Sequence, residues 1–465
     1  MDSKRQKTQT QQDQLLLAFA QEGRSESPRA CDEGPVLHAA NSQTESPTSS
    51  DRLMESICDP RNFAQAMAKV IANGGSPGVD GMRVTQLEKY FERHRDRITR
   101  ELLTGTYRPQ PVKRVEIPKP DGGTRKLGVP TALDRLIQQA ILQVLSPQWD
   151  PTFSDHSFGF RPGRSAHDAI ARAQDYLAEG YTWVVDMDLE KFFDRVNHDV
   201  LMSRVARRVQ DKRLLKLLRA FLNSGVMIDG LAEATPEGTP QGGPLSPLLS
   251  NLLLDELDRE LAARGLHFAR YADDCNIYVK SLRAGERVLH SVTRWLAQKL
   301  RLTVNQQKSA VDHPWNRKFL GFTLTPQGQR TIAPQSKRKF KKRIRKLTKR
   351  NRGSSLTRVI NELRSYLLGW KGYFGFCQLP SELRTLDSWI HRRLRCYLWK
   401  QWKTGSRRYT ELRRRGVHAQ QAAKTAGSRK GPWHLSRSMA LQVAIPRASL
   451  LSMNLPLLYE PEPNV

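Results

Sequence analysis

The chain has 465 residues, with 76 Lys or Arg against 46 Asp or Glu and a formal net charge of +30. That length allows about three domains, and a content of 38 % hydrophobic and 26 % charged residues is that of a globular chain rather than a disordered one. No apolar run approaches the ~20 residues of a membrane helix, and the five cysteines (Cys31, Cys58, Cys275, Cys377, Cys396) stand far apart without a C-x-x-C pair, which argues against a membrane protein, a disulfide framework or an ordinary zinc module.

Residues 1–50 are rich in Ser, Gln, Thr and Glu and read as a disordered polar extension. Their one apolar stretch, Leu15–Ala20, is too short for a signal peptide, and Asp2 and Asp13 argue against a transit peptide, so a cytoplasmic protein is expected. Val112–Ile117 and Arg125–Val129 flank the turn-forming run Pro118-Lys119-Pro120-Asp121-Gly122-Gly123 and predict a hairpin. Apolar residues from Leu133 to Leu145 recur at helical spacing. Ser165 with Asp168 predicts a capped helix ending near Gly180. Trp183–Leu189 reads as a buried strand, Leu245–Leu261 as a helix, and a strand pair straddles Tyr271-Ala272-Asp273-Asp274. Short strands are expected at Phe319–Leu324 and Gln329–Ile332.

After Pro334 the pattern is helical throughout. Between Thr331 and Lys430 stand 28 Lys or Arg and four acids, which is +24 of the chain's +30. A field of that sign fits a polyanion, with nucleic acid the first candidate; a solvated basic face is the alternative. Lys337–Arg350 holds ten basic residues in 14 yet keeps Phe340, Ile344 and Leu347 on one stripe. The expected divisions are an extension over 1–50, a mixed α/β region over 51–330, a helical region over 331–405 and a small basic segment over 406–465.

The chemistry lies in carboxylates. Asp186 and Asp188 sit on one predicted strand, facing the same side, and Asp273 and Asp274 at a hairpin tip 85 residues after Asp188. Carboxylates gathered in a small volume repel unless hard divalent cations lie between them, and two Mg²⁺ about 4 Å apart suit in-line phosphoryl transfer. Exposed turn acids would give the same short pattern, so its weight comes from the surrounding motifs.

Those motifs are Val185-Asp186-Met187-Asp188-Leu189-Glu190-Lys191-Phe192-Phe193-Asp194, Gln241-Gly242-Gly243-Pro244-Leu245-Ser246-Pro247 and Tyr271-Ala272-Asp273-Asp274. With them stand Phe158-Gly159-Phe160-Arg161-Pro162-Gly163-Arg164-Ser165, Phe319-Leu320-Gly321-Phe322 and Leu367-Leu368-Gly369-Trp370-Lys371-Gly372-Tyr373-Phe374. In this order they resemble the reverse transcriptases encoded by group II introns, from about Ile57 to about Trp402. The resemblance implies an α+β, right-hand-like polymerase of fingers and palm, then an α-helical thumb/maturase domain and a small basic, DNA-contacting C-terminal segment around Arg413-Arg414-Arg415 and Trp433. It implies an RNA-directed DNA polymerase that assists splicing of its intron and copies it during retrotransposition. The partners implied are intron RNA, an RNA template with a DNA primer, target DNA and dNTPs.

By the same resemblance Asp188, Asp273 and Asp274 are the catalytic, metal-binding acids, with two Mg²⁺ as cofactor and Asp186 as a secondary candidate. Lys119, Arg125 and Lys126 would lie over the incoming triphosphate, Gln241 beside the nascent base pair, and Lys308 where pyrophosphate leaves. Phe193 falls at the steric gate against a ribose 2′-OH, with Phe192 competing for that place. Arg161 and Arg164, with Lys339, Lys342, Arg343 and Lys346, are the nucleic-acid-contacting candidates. Surface charge is the plain alternative for each Lys and Arg. The Cys/His endonuclease module that ends many relatives has no counterpart here, so no cleavage of target DNA is expected. Two other readings share these motifs: a maturase without polymerase activity, and a domesticated reverse transcriptase in a host role such as phage defence.

Overall fold

Three helices open the described chain: α1 (Leu53–Ile57), α2 (Pro60–Asn73) and α3 (Val84–Leu103). Asp59 caps α2 by accepting from Arg61 N, and Pro60 stands at the first helical position, where a missing N–H costs nothing. The computed structural model describes residues 52–118, 124–228, 231–233, 237–238 and 242–460. They fall into two units, one ending at His313 and one starting at Pro314.

In the first unit β1 (Val112–Pro118) and β2 (Thr124–Val129) pair antiparallel, with Pro118 opposite Thr124, as the turn residues between them predict. α4 (Ala132–Trp149) follows, then α5 (Ala166–Ala178) with its expected capping box: Ser165 Oγ accepts from Asp168 N, and the Asp168 carboxylate accepts from Ser165 N. β3 (Trp183–Asp188) leads to α6 (Phe192–Arg195), α7 (His198–Ala206) and α8 (Lys212–Asn223). β4 (Val226–Ile228) and β5 (Leu231–Glu233) come next, and β4 runs parallel to β1, giving a sheet ordered β2-β1-β4-β5. β4 and β5 are additions to the expected strands.

α9 (Ser246–Ala263) is buried on nearly every side, which places it at the centre of the unit. β6 (His267–Tyr271), β7 (Asp274–Val279), α10 (Leu282–Trp295) and β8 (Ala310–Asp312) complete it. The second sheet runs β6-β7-β3-β8, antiparallel throughout. Val184, Val185, Met187, Cys275, Ile277 and Tyr278 are buried in it. β8 is an addition to the expected strands, and it brings residues 305–312 alongside β3.

The second unit starts with the hairpin β9 (Phe322–Leu324) and β10 (Arg330–Ile332), then α11 (Pro334–Leu347), α12 (Leu356–Phe374) and α13 (Pro380–Gln401). Phe322 lies 5.2 Å from Phe374, Phe374 4.8 Å from Trp370, and Trp370 4.3 Å from Phe340. This aromatic core joins the hairpin to the helices, which is why the division falls at 313/314, ahead of residue 330. Five short helices follow: α14 (Gly405–Arg414), α15 (Ala419–Ala426), α16 (Pro432–Leu435), α17 (Met439–Ala444) and α18 (Arg447–Ser452). The chain then returns to α13, where the buried carboxylate of Asp387 accepts from Leu458 N and Tyr459 N.

Candidate active site and nucleic-acid face

Register brings the carboxylates together. Asp188, the last residue of β3, stands directly opposite Asp274, the first of β7, and Asp186 stands opposite Asn276. Directly opposed residues of an antiparallel pair project on one face, so Asp186, Asp188 and Asp274 share a side, while Met187 and Cys275 go into the core. Asp273 lies in the two-residue turn between Tyr271 and Asp274. The preceding Ala272 has φ +57°, left-handed backbone that a residue with a Cβ adopts at a cost of order 1 kcal/mol or more.

Two neighbours steady Asp188: its N–H donates to Ser309 Oγ at 3.0 Å, and its carbonyl accepts from Asn305 N at 2.8 Å. The Lys308 ammonium stands 3.6 Å from Asp188 Oδ2. Sequence reading singled out Lys308 but missed this pairing and Ser309, because both depend on β8 lying against β3. Burial pushes up the Cys275 thiol, on the face opposite the acids, and the Tyr278 hydroxyl, further along β7 on their own face, keeping both neutral. Among the described residues no three carboxylate, imidazole or thiol side chains close into a ready cation cage. The donors nonetheless fit a hard divalent cation in kind, being carboxylate oxygens gathered at facing strand ends.

Phe192 is 2 % exposed and packs in the core, whereas Phe193 is half-buried at its edge, 5.2 Å away. Of the two gate candidates, Phe193 is the one with a face still open. Gly242 has φ +133°, and a Cβ there would stand 2.7 Å from Gly128 O, so this backbone lies directly on β2 in a conformation only glycine adopts readily. Lys126 is exposed and opposite Glu116. Lys119 and Gln241 lie outside the described residues, as does the side chain of Arg125.

Arg161 corrects an expectation. It is 7 % exposed, and its five N–H groups are all engaged: Nε with Asp150 Oδ1, Nη1 with the Ser154 and Ser157 carbonyls, Nη2 with the carbonyl and Oδ2 of Asp150. No donor is left for a phosphate; this arginine braces the loop ahead of α5. Arg164 is tied down too, donating to the carbonyl and carboxylate of Asp155, and its guanidinium holds that carboxyl below the usual range.

In the second unit α11 buries Phe340, Ile344 and Leu347, as its stripe predicts, and exposes Lys339, Lys342 and Lys346. Arg343 is half-buried, 5.9 Å from the Tyr366 ring. Lys341 and Arg345 turn to the Trp389 ring on α13, at 5.9 and 5.8 Å. Of the arginine run at 413–415, Arg415 pairs with Glu411 and lies over Trp402, while Arg413, which donates to Val417 O, and Arg414 are exposed. Trp433 is clasped by Arg392, 3.7 Å from its ring. The basic run therefore serves helix packing more than its sequence suggests.

Residues 117–324 match the family model described as reverse transcriptase (RNA-dependent DNA polymerase), and residues 337–416 match the group II intron maturase-specific domain. A protein of Escherichia coli K12, YkfC, is 33 % identical over 302 residues, a match covering 56 % of this chain and 79 % of that one. The chain belongs to the group II intron-encoded reverse transcriptase and maturase family. The group II intron-encoded protein LtrA of Lactococcus lactis is 26 % identical over 56 % of this reverse transcriptase, which spans 42 % of LtrA. A Cas6-RT-Cas1–Cas2 complex chain is 25 % identical over 58 % of this chain and 45 % of its own, with a TM-score of 0.34. The fold of this reverse transcriptase is thus a mixed α/β polymerase region followed by a helical maturase region. The maturase match runs past α13 through α14, so the arginine run sits at its edge. No helix among the described residues is long and apolar enough to cross a membrane.

Proposed function

We propose that this chain is an RNA-directed DNA polymerase using two Mg²⁺, and that it binds its intron RNA to assist splicing and copies it during retrotransposition. The observation that carries this reading is the register placing Asp188 opposite Asp274, with Asp273 in the adjoining turn and Lys308 at 3.6 Å. Asp188, Asp273 and Asp274 would hold the metal ions, which when bound activate the primer 3′-oxygen and neutralise charge on the leaving group. Lys308 Nζ carries a proton that departing pyrophosphate can take. Phe193, with its open face, would exclude a ribose 2′-OH and select dNTPs. Lys119, Arg125 and Lys126 would grip the triphosphate, and Gln241 with the close-lying Gly242 backbone would border the nascent pair.

RNA and primed template are held differently. The exposed Lys339, Lys342 and Lys346, with Arg343, bind phosphates, which orients a strand without reading its sequence. Target DNA would meet the same basic unit beyond α13, where Arg414 and Trp433 are exposed. The test is the Asp273→Ala/Asp274→Ala protein. It should bind intron RNA and support splicing while failing to extend a DNA primer on an RNA template. Extension near the wild-type rate overturns the site, and loss of splicing overturns the separation of the two activities.

A further inference from the structure

A buried arginine stands two residues before the Ala272-Asp273 turn. Arg270, on β6, is 1 % exposed and meets Asp258 of α9 through two bonds, Nε to Oδ1 at 2.7 Å and Nη2 to Oδ2 at 2.5 Å. Asp258 is itself 0 % exposed. A charge pair this deep costs desolvation that its own attraction barely offsets, so stability alone gives little reason to keep it. The remaining donors show where it acts. Nη1 donates to the Ala272 carbonyl at 3.0 Å and to Asn251 Oδ1 at 3.1 Å, and Nη2 to Ser157 Oγ at 2.7 Å.

Ala272 is the residue held at φ +57°, and its carbonyl belongs to the peptide that leads into Asp273. A single rigid guanidinium, anchored on α9, thus fixes the orientation of the peptide unit from which Asp273 and Asp274 project. Asn251 extends the arrangement: its Nδ2 donates to Gly159 O at 2.8 Å. Gly159 lies so close to the turn that a Cβ there would stand 2.3 Å from Ala272 N. The next residue, Phe160, is 46 % exposed, with its ring 6.2 Å from that of Tyr271. The loop and the turn are therefore held as one body.

We infer that Arg270, locked by Asp258 and Asn251, is the positioning residue that sets the Asp273–Asp274 turn for cation binding. The inference rests on the proposed polymerase site. A strained left-handed alanine relaxes unless its surroundings over-determine it, and here the Arg270–Ala272 bond supplies that constraint. Carboxylates displaced by about 1 Å lose on the order of 10²-fold in rate without any change in what grips the template, because the grip lies elsewhere.

The experiment compares Arg270→Lys and Asn251→Ala with wild type in single-nucleotide addition to a DNA primer on an RNA template, across a Mg²⁺ titration. Lysine keeps the charge facing Asp258 but has one ammonium where Arg270 bonds four partners. Asn251→Ala removes one partner of Arg270 without stranding a buried charge. The single-turnover rate should fall roughly 10²-fold for Arg270→Lys and about tenfold for Asn251→Ala. Affinity for primed template should stay within about twofold, half-saturation should move to higher Mg²⁺, and excess Mg²⁺ should restore part of the rate. If Arg270→Lys does not fold, Asn251→Ala decides alone. Folded variants with a lowered melting temperature but the wild-type rate and Mg²⁺ dependence overturn the inference, as does an equal loss of template affinity. In either case a dead Asp273→Ala/Asp274→Ala protein leaves the polymerase site standing, whereas an active one removes the site and not merely its brace.

Discussion

In the first unit Arg161, Arg208, Arg213 and Arg270 are bound to carboxylates and carbonyls of their own chain, and three of them are less than a tenth exposed. In the second unit the cations of α11 stand in solvent, lie over aromatic rings or, for Lys337, pair with Glu382, with Phe340, Ile344 and Leu347 buried on the inward face. The same residue class thus has opposite physical meanings. An arginine whose N–H groups are all spent inside contributes rigidity, while a lysine in water contributes field. Charge counts locate a nucleic-acid partner only where the charges are free to meet it, which is why the exposed Lys339, Lys342 and Lys346 are informative and Arg161 is not.

Substitutions can break this contrast, and the largest effect belongs to the interior. Arg161→Met should cost about 3–5 kcal/mol by stranding the partly buried Asp150 carboxylate. Urea unfolding measures this, and the salt dependence of RNA binding should not change. A loss below about 1 kcal/mol combined with a flatter salt slope would return Arg161 to the nucleic-acid face.

The adjacent phenylalanines offer the same contrast at short range. Phe192→Ala should cost about 3–5 kcal/mol as a core cavity. Phe193→Ala should cost less and instead admit ribonucleotides, read as the ratio of dNTP to rNTP incorporation. An unchanged ratio removes the gate from Phe193.

His391, 6 % exposed on α13, is a titrating member of the second unit's interior. Burial, then Arg395 and Arg447, press its pKa down to about 4. The folded value lies below the unfolded one near 6.5, so this stability is full above pH 6.5 and is lost as pH falls towards 4, about 3 kcal/mol in all. His391→Gln should lower the melting temperature at pH 7 and flatten its fall between pH 6.5 and 4. A variant that keeps the wild-type slope shows that other groups set the acid response.

The smallest effect on stability belongs to the exposed face. Replacing Lys339, Lys342, Arg343 and Lys346 with Gln should change unfolding by under about 0.5 kcal/mol per site. The slope of log K for RNA against log salt should flatten by roughly 0.7–0.9 for each phosphate no longer neutralised. Filter binding across salt reads this, and a wild-type slope would make α11 only a solvated face.

What the sequence by itself determined is local or ordered along the chain. The runs Val112–Ile117 and Arg125–Val129 place the paired strands β1 and β2, Ser165 with Asp168 the start of α5, and the Phe340–Ile344–Leu347 stripe the inward face of α11. The motifs, taken in order, were enough to identify the family. Only the tertiary structure decided which acids face one another, because the Asp188–Asp274 register depends on two strands far apart in sequence burying Met187 and Cys275 together. It alone added β8, and with it Ser309 and Lys308 beside Asp188. It also buried Phe192 while leaving Phe193 half-exposed, and turned Arg161 and Arg270 inward. Long polar side chains reach several ångströms from their backbone, so whether they meet solvent or a buried carboxylate is set by what packs above them and not by their neighbours in the chain.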